Sequence, residues 1–306
     1  MSQKTVAITG VDGFLGGKIA KRIIGCTDWD VLGLTMSLDM PEKMLEREKL
    51  EHSPRLRFMT NEAFLRPDTR VEDLYGVVHL AFSRRVQPAA DIASSIDFAA
   101  AICHRLVALK ADRVINMSSQ SVYGNTEEIR TEDTPAAPES NYAMAKYASE
   151  KLFDDILKDC PRHTNFRLDL VAQSQNVVKG LCRSAKEGKI SLKGGKQVFS
   201  LIDGEDVAGA VVAMLKADGD WERVYNVGWN RKRYTLVELA ETVADAAEGC
   251  GYPRPTIELR EEEIALWAGM DSSRFMAKTG WKPERALEQV LADLLRMDMV
   301  DRRGEA

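Results

Sequence analysis

Thr5-Val6-Ala7-Ile8-Thr9-Gly10-Val11-Asp12-Gly13-Phe14-Leu15-Gly16 carries the reading of the fold: a short β-rich run, three glycines spaced three apart, then a helical stretch over 18–24. An ordinary tight turn needs only one such glycine. Strand, glycines and helix in this order are what a dinucleotide site requires. Gly10 can turn the chain, Gly13 lets a pyrophosphate approach the backbone, and Gly16 lets the helix pack on the strand. The start of the helix offers unpaired N–H groups and positive potential to phosphates.

Working outward, β-rich runs recur at 5–8, 31–34, 55–59, 76–80, 113–117 and 165–168, with helical stretches between them. Val77-Val78-His79-Leu80 lacks the polar alternation of a half-exposed strand, as expected where helices cover both faces of a sheet. Right-handed crossovers then predict an α/β fold, a doubly wound Rossmann-type parallel sheet. Beyond Leu168 the pattern loosens: a helix over 180–188, a short strand over 189–192 and a turn at Gly194-Gly195. Residues 1–168 are therefore expected to bind the dinucleotide. Residues 169–306 are expected to form a smaller, interleaved C-terminal substrate lobe, with 200–202 and 207–216 returning to the sheet. Thr235 stands three residues ahead of Glu238, the spacing of a capping box.

With 306 residues and 44% hydrophobic content, the chain can bury a substantial core. Its formal net charge of -5, with acidic residues spread along the sequence, leaves no basic face for a nucleic acid. Cys26, Cys103, Cys160, Cys182 and Cys250 are dispersed and include no CxxC pair, which argues against a disulfide framework or a zinc site. The four histidines are equally scattered, so no metal is expected. The apolar runs are too short to span a membrane. A strand beginning at Lys4 leaves no room for a signal peptide, so a cytoplasmic location is expected.

Tyr142 and Lys146 are one helical turn apart and share a face, so a phenol and an ammonium can reach one ligand. Taken alone, the pair reads as a partly buried tyrosine beside a solvent-facing lysine. The glycine turn and the hydroxyls of Ser118-Ser119 give it another context. Free tyrosine, with a pKa of about 10, is a poor base near neutrality, and nearby positive charge lowers that value.

TGxxGxxG, rather than GxGxxG, resembles the extended branch of the short-chain dehydrogenase/reductase superfamily, the NAD-dependent epimerase/dehydratase family. The likeness runs almost the whole chain. Val77-Val78-His79-Leu80-Ala81 resembles "VVHLA", Ser118 to Gly124 resembles "SSxxVYG", and Tyr142-Ala143-Met144-Ala145-Lys146 matches YxxxK. Tyr225-Asn226-Val227-Gly228 resembles "YNVG", and Gly280-Trp281-Lys282-Pro283 resembles "LGWxP". The resemblance implies that Tyr142 moves the substrate proton while hydride leaves or joins the same carbon. It assigns Lys146 to the nicotinamide ribose, and Ser119, with Ser118 as second choice, to the substrate oxygen. It places Gly10, Gly13, Phe14, Leu15, Gly16, Asn61, Leu80, Ala81, Tyr142 and Lys146 around the cofactor, and implies a homodimer formed through the helices at 91–110 and 142–157. Asp97 stands where the family usually has an asparagine, as a variant structural or relay residue.

The chain also departs from that pattern. Gln120-Ser121 replaces the Asp-Glu pair of dehydratases, which ranks water elimination below redox chemistry or epimerisation. Asp169 and its neighbours lack the usual asparagine, and Val198-Phe199 replaces a phosphate-binding arginine. Arg183, Arg223, Arg231 and Arg233 are the candidates to compensate. No acid ends the run Leu32-Gly33-Leu34-Thr35-Met36-Ser37, so the cofactor is NAD or NADP, with Lys43 or Arg47 as the residue to meet a 2′-phosphate. A nucleotide-linked sugar is the expected small-molecule substrate. The alternatives are a reductase of a non-nucleotide carbonyl compound and a non-catalytic protein that responds to a dinucleotide.

Overall fold

The computed structural model describes residues 3–83, 87–230 and 232–296. The first half runs β1 (Thr5–Thr9), α1 (Phe14–Cys26), β2 (Asp30–Thr35), α2 (Glu42–Glu48), β3 (Leu56–Thr60), α3 (Asn61–Leu65), β4 (Leu74–His79), α4 (Ala89–Ala108), β5 (Arg113–Ser119), α5 (Asn141–Ile156) and β6 (Arg162–Leu168). There follow β7 (Leu170–Val171), α6 (Asn176–Lys186), β8 (Lys189–Lys193), β9 (Val198–Phe199), β10 (Leu201–Ile202), α7 (Gly204–Lys216) and β11 (Val224–Val227). The chain then adds β12 (Tyr234–Thr235), α8 (Leu236–Gly249), β13 (Thr256–Arg260), α9 (Ser273–Thr279) and α10 (Leu287–Arg296).

Seven strands form one sheet in the order β11-β6-β5-β4-β1-β2-β3, every pairing parallel. Alternate residues of β1 feed opposite layers. Val6 and Ile8 pack in a cluster with Ile19 and Ile23 of α1 and Val207 and Val211 of α7, while Ala7 joins Ile102 of α4 and Phe153 of α5. Both faces are thus covered, which accounts for the uninterrupted apolar runs. The strand order reverses between β1 and β4, opening the crevice where open α/β sheets bind ligands.

The second lobe has its own core, with Val178 and Cys182 of α6, Leu239 and Val243 of α8 and Leu291 and Leu295 of α10. Thr235 and Glu238 form the expected capping box at the start of α8. The lobes interleave through α7, which returns to lie against α1, and through β11, which joins the sheet edge beside β6. The expected return of 200–202 to the sheet is corrected: β10 pairs only with β7, both two residues long and outside the seven-stranded sheet. The edge position beside β6 is taken by β11, through Val224 to Val227 against Asn165 to Leu168.

Candidate active site

The glycine turn sits at the crevice. Gly10 N–H donates to the Leu34 carbonyl at the end of β2 (3.0 Å), and Gly10 has a φ of 66°, a backbone conformation that glycine adopts without strain. A Cβ on Gly10 would lie 3.2 Å from the backbone N and Cα of Ala81, and one on Gly16 would lie 2.6 Å from Val11 Cα. The turn, the end of β4 and the start of α1 are therefore closer than side chains allow. Thr9 Oγ1 ties them together, accepting from the N–H groups of Leu80 and Ala81 (3.0 Å each) and meeting His79 Nδ1 at 2.9 Å. Burial, reinforced by the charge of Lys146, holds His79 down to about 3, so the imidazole is neutral.

Gly13 caps α1 without a side chain to occupy the first-turn N–H groups. The Phe14 ring turns towards Gly204 and Lys18, and Leu15 packs against the core, so these two residues face the crevice with backbone. Asn61, first residue of α3, carries a buried Oδ1 with no hydrogen-bond partner. An orphaned acceptor after β3 and, after β1, a cradle that any Cβ would fill fit the adenosine and pyrophosphate of a dinucleotide. At the end of β2 the Thr35 hydroxyl is held by the Ser37 carbonyl (3.1 Å). Arg47 reaches back from α2 to donate to the Gly13 carbonyl (3.0 Å), whereas Lys43 is exposed.

Ser119 ends β5, and Tyr142 and Lys146 lie on α5, which packs against that strand. Lys146 is buried, with Nζ donating to the Met117 carbonyl (2.7 Å), 3.9 Å from the Phe82 ring centroid and 6.0 Å from that of Tyr142. Burial pulls its ammonium down to about 7, with Glu150 opposing the shift. Glu150, one turn farther along α5, is fully buried. It accepts from Arg167 Nε (3.0 Å) and Nη2 (2.6 Å) and from the hydroxyl of Ser118. Ser118 is thereby committed to the interior. Ser119 Oγ instead accepts from Ser121 N–H (3.2 Å) and the Ser121 hydroxyl (3.0 Å).

Gln120 points into the protein, where Nε2 donates to Asp169 Oδ1 (2.8 Å) and Oε1 accepts from Gly269 N–H (3.3 Å). Asp169 also accepts from Leu170 N–H, from Ser200 and from the backbone of Trp229, and burial pushes its carboxyl up to about 6. Beside them Arg130, 2% exposed, donates to the carbonyls of Gly124 (2.8 Å) and Trp267 (2.7 Å). The sequence alone did not reveal this polar hub, because buried charged residues carry no local signature.

The remaining candidates are scattered. Asp97 is exposed on α4. Arg223 is bound to the Cys160 and Lys158 carbonyls and to His163, at the amino-terminal edge of the sheet and far from the crevice. Arg183 is exposed at the end of α6, and Arg231 lies outside the described residues. Arg233 remains near the hub, its side chain against Gly269 and its Nη1 on the Glu127 carbonyl. A groove of about 410 Å³ beside Cys26, Lys216 and Trp281 lies at the carboxyl ends of α1 and α7, the edge opposite the glycine turn. Among the described residues no group of three or more His, Cys, Asp or Glu side chains is placed to hold a metal, and no helix is long and apolar enough to cross a membrane.

A doubly wound parallel sheet with this glycine turn defines an enzyme of the extended short-chain dehydrogenase/reductase type. Residues 6–228 match the NAD dependent epimerase/dehydratase family, and the chain belongs to it. It is 24% identical to the UDP-glucose 4-epimerase of Neisseria gonorrhoeae over 94% of this chain and 96% of that one. It is 23% identical to the dTDP-glucose 4,6-dehydratase of the same organism, over 94% of each chain. The solved UDP-Glc/GlcNAc 4-epimerase of Campylobacter jejuni superposes with a TM-score of 0.80 at 18% identity, covering 95% of this chain and 98% of that one.

Proposed function

We propose that the protein uses NAD or NADP to oxidise and re-reduce a carbinol carbon of a nucleotide-linked sugar, as a 4-epimerase or oxidoreductase, with Tyr142 as acid and base. The carrying observation is that Ser119 and Ser121 bring two hydroxyls together after β5 while Gln120 is locked inward by Asp169 and Gly269. The dehydratases that the chain resembles carry an Asp-Glu pair at that place. Moving a proton on and off one oxygen requires only a donor and a titrating phenol.

In this reading Gly10, Gly13, Phe14, Leu15 and Gly16 cradle the pyrophosphate, Asn61 Oδ1 accepts from the adenine amino group, and Leu80 and Ala81 line the nicotinamide side. When bound, the dinucleotide takes up and returns hydride. Lys146 turns from the Met117 carbonyl to the ribose hydroxyls and favours the Tyr142 phenolate. Tyr142 accepts the carbinol proton, and Ser119 donates to the substrate oxygen. Residues 1–168 carry the dinucleotide and 169–306 the sugar, apart from α7 and β11, which serve the sheet.

A second reading, a non-nucleotide carbonyl substrate, is favoured by one observation: Val198 occupies a strand backbone held by Leu266 (2.8 Å), and Arg223 is committed to the far edge. Fewer cations then face a diphosphate. Exposed Val107 on α4 and Met144 on α5 support a homodimer across those helices, which sedimentation would show as twice the chain mass. Five free cysteines support a cytoplasmic setting.

The test is incubation with NAD+ and NADP+ and a panel of UDP- and dTDP-hexoses and simple ketones, reading sugar epimers, water loss and cofactor reduction separately. Tyr142→Phe should retain cofactor binding and lose about 100-fold or more in turnover. Turnover of wild-type size in that variant, or elimination as the main reaction, would overturn the assignment.

A further inference from the structure

The turn after β5 contains a hydroxyl, that of Ser121, to which the mechanism above assigns no step. Residues 120–123 form a short 3-10 helix, and Ser119 caps it. Position 120 is turned inward and held there by the buried hub, so the side chains on either side of it, Ser119 and Ser121, come together. A serine hydroxyl has one proton to donate and two lone pairs to accept with. Both acceptor sites of Ser119 Oγ are filled by Ser121, one from the backbone N–H at 3.2 Å and one from the hydroxyl at 3.0 Å.

That arrangement has a chemical consequence. A hydroxyl whose lone pairs are occupied cannot accept from a substrate carbinol, so its single proton is directed outward. Its donor strength also rises, because a hydroxyl that accepts hydrogen bonds is polarised by them. We propose that Ser121 is a positioning residue which fixes Ser119 as a donor to the substrate oxygen, suiting the site to an oxygen that gains negative charge as its proton passes to Tyr142. Without the Ser121 hydroxyl, Ser119 regains a free lone pair. It can then accept from the carbinol and compete with Tyr142 for its proton. The side chain at 121 therefore shapes the reaction without touching the reacting carbon, and the residues carrying this effect are two serines rather than an acid and a base.

The inference rests on the enzymatic reading above and adds to it a role for Ser121. The experiment compares wild type, Ser121→Ala, Ser121→Thr, Ser119→Ala and the Ser119→Ala/Ser121→Ala double variant with the nucleotide sugar that wild type turns over. Ser121→Ala should lower kcat about tenfold, the size of one neutral hydrogen bond, and move KM by less than about threefold. Threonine, which retains the hydroxyl, should recover most of the loss. In the Ser119→Ala background, removing the Ser121 hydroxyl should cost nothing further, since its effect runs through Ser119. Equal losses in both backgrounds would overturn the proposal, as would a Ser121→Ala enzyme of wild-type kcat. Failure of wild type to turn over any substrate would instead overturn the enzymatic reading, and this inference with it.

Discussion

Replacing Glu150 by leucine tests a fully buried and multiply bonded carboxylate. Its carboxylate is fully buried and faces a guanidinium that is 4% exposed, with two charge-assisted bonds to Arg167 and a third from Ser118. Against the opposing effect of burial, these bonds hold the Arg167 guanidinium above its ordinary value, so it stays charged at any working pH. Glu150→Leu would leave that charge buried without a counter-ion and the Ser118 hydroxyl without an acceptor. Breaking such a pair costs about 3–5 kcal/mol. For a chain of this size each kcal/mol lowers the melting temperature by about 2 °C, giving an expected drop of about 6–10 °C by calorimetry. Arg167→Met in the same background removes the stranded charge and still packs on Tyr123, whose ring lies 4.5 Å from the guanidinium carbon. The Glu150→Leu/Arg167→Met protein should therefore recover at least half of the loss. A single variant within about 2 °C of wild type, or a double variant as unstable as the two singles summed, would refute the reasoning.

Two further outcomes follow from the site. Gly16→Ala would drive a methyl group to 2.6 Å from Val11 Cα and against the Gly10 carbonyl, backbone atoms that cannot move without opening the turn. Affinity for NAD+ and NADP+ should fall by about tenfold or more in a thermal-shift titration, and undiminished affinity would place the dinucleotide elsewhere. Lys146 in the cofactor-free protein titrates near 7, below its value in the unfolded chain. Between about pH 7 and 10 the unfolded chain therefore binds more protons, and stability due to this residue rises with pH. Urea unfolding of wild type and Lys146→Met at pH 6.5 and 9 should show the wild type gaining relative to the variant at the higher pH, and a constant difference would contradict the burial of the ammonium.

The elements that the sequence displays most openly are those fixed by local chemistry. The first six strands show as β-rich runs, the phosphate turn as glycines whose missing Cβ atoms are a steric necessity, and the capping box as Thr235 and Glu238. Helical phase carries more than spacing to a motif does. On α4 the buried residues Ile92, Ser95, Ala99, Ile102, Cys103 and Leu106 mark one face, and Asp97 falls between them on the other. Strand membership was less legible. Leu201–Ile202 and Val224–Val227 are both short, and it is the second that pairs along the edge of β6. Arg130, Glu150 and Asp169 were unreadable for a different reason, since each is paired across the chain, Glu150 with Arg167 17 positions on, Asp169 with Gln120 49 positions back and Arg130 with Trp267 137 positions on.

That dispersal bears on how the reaction class is set. The turn at 119–121 looks like a local cassette in which an acid pair replaced by Gln120 and Ser121 exchanges elimination for redox chemistry. Gln120, however, donates to Asp169 and accepts from Gly269 in one stroke, a two-sided role that its amide can fill and a carboxylate cannot. An aspartate there would set a second acid against Asp169 in a fully buried pocket, where like charges resist joint ionisation and burial has already raised the first to about 6. The inward lock also leaves Ser119 and Ser121, on either side of residue 120, bonded to each other rather than to the hub. Their placement is thus tied to Asp169, Ser200 and the backbone of Trp229, on segments beyond β6. On the proposed reading, residues that never meet the reacting carbon then set which groups it is offered.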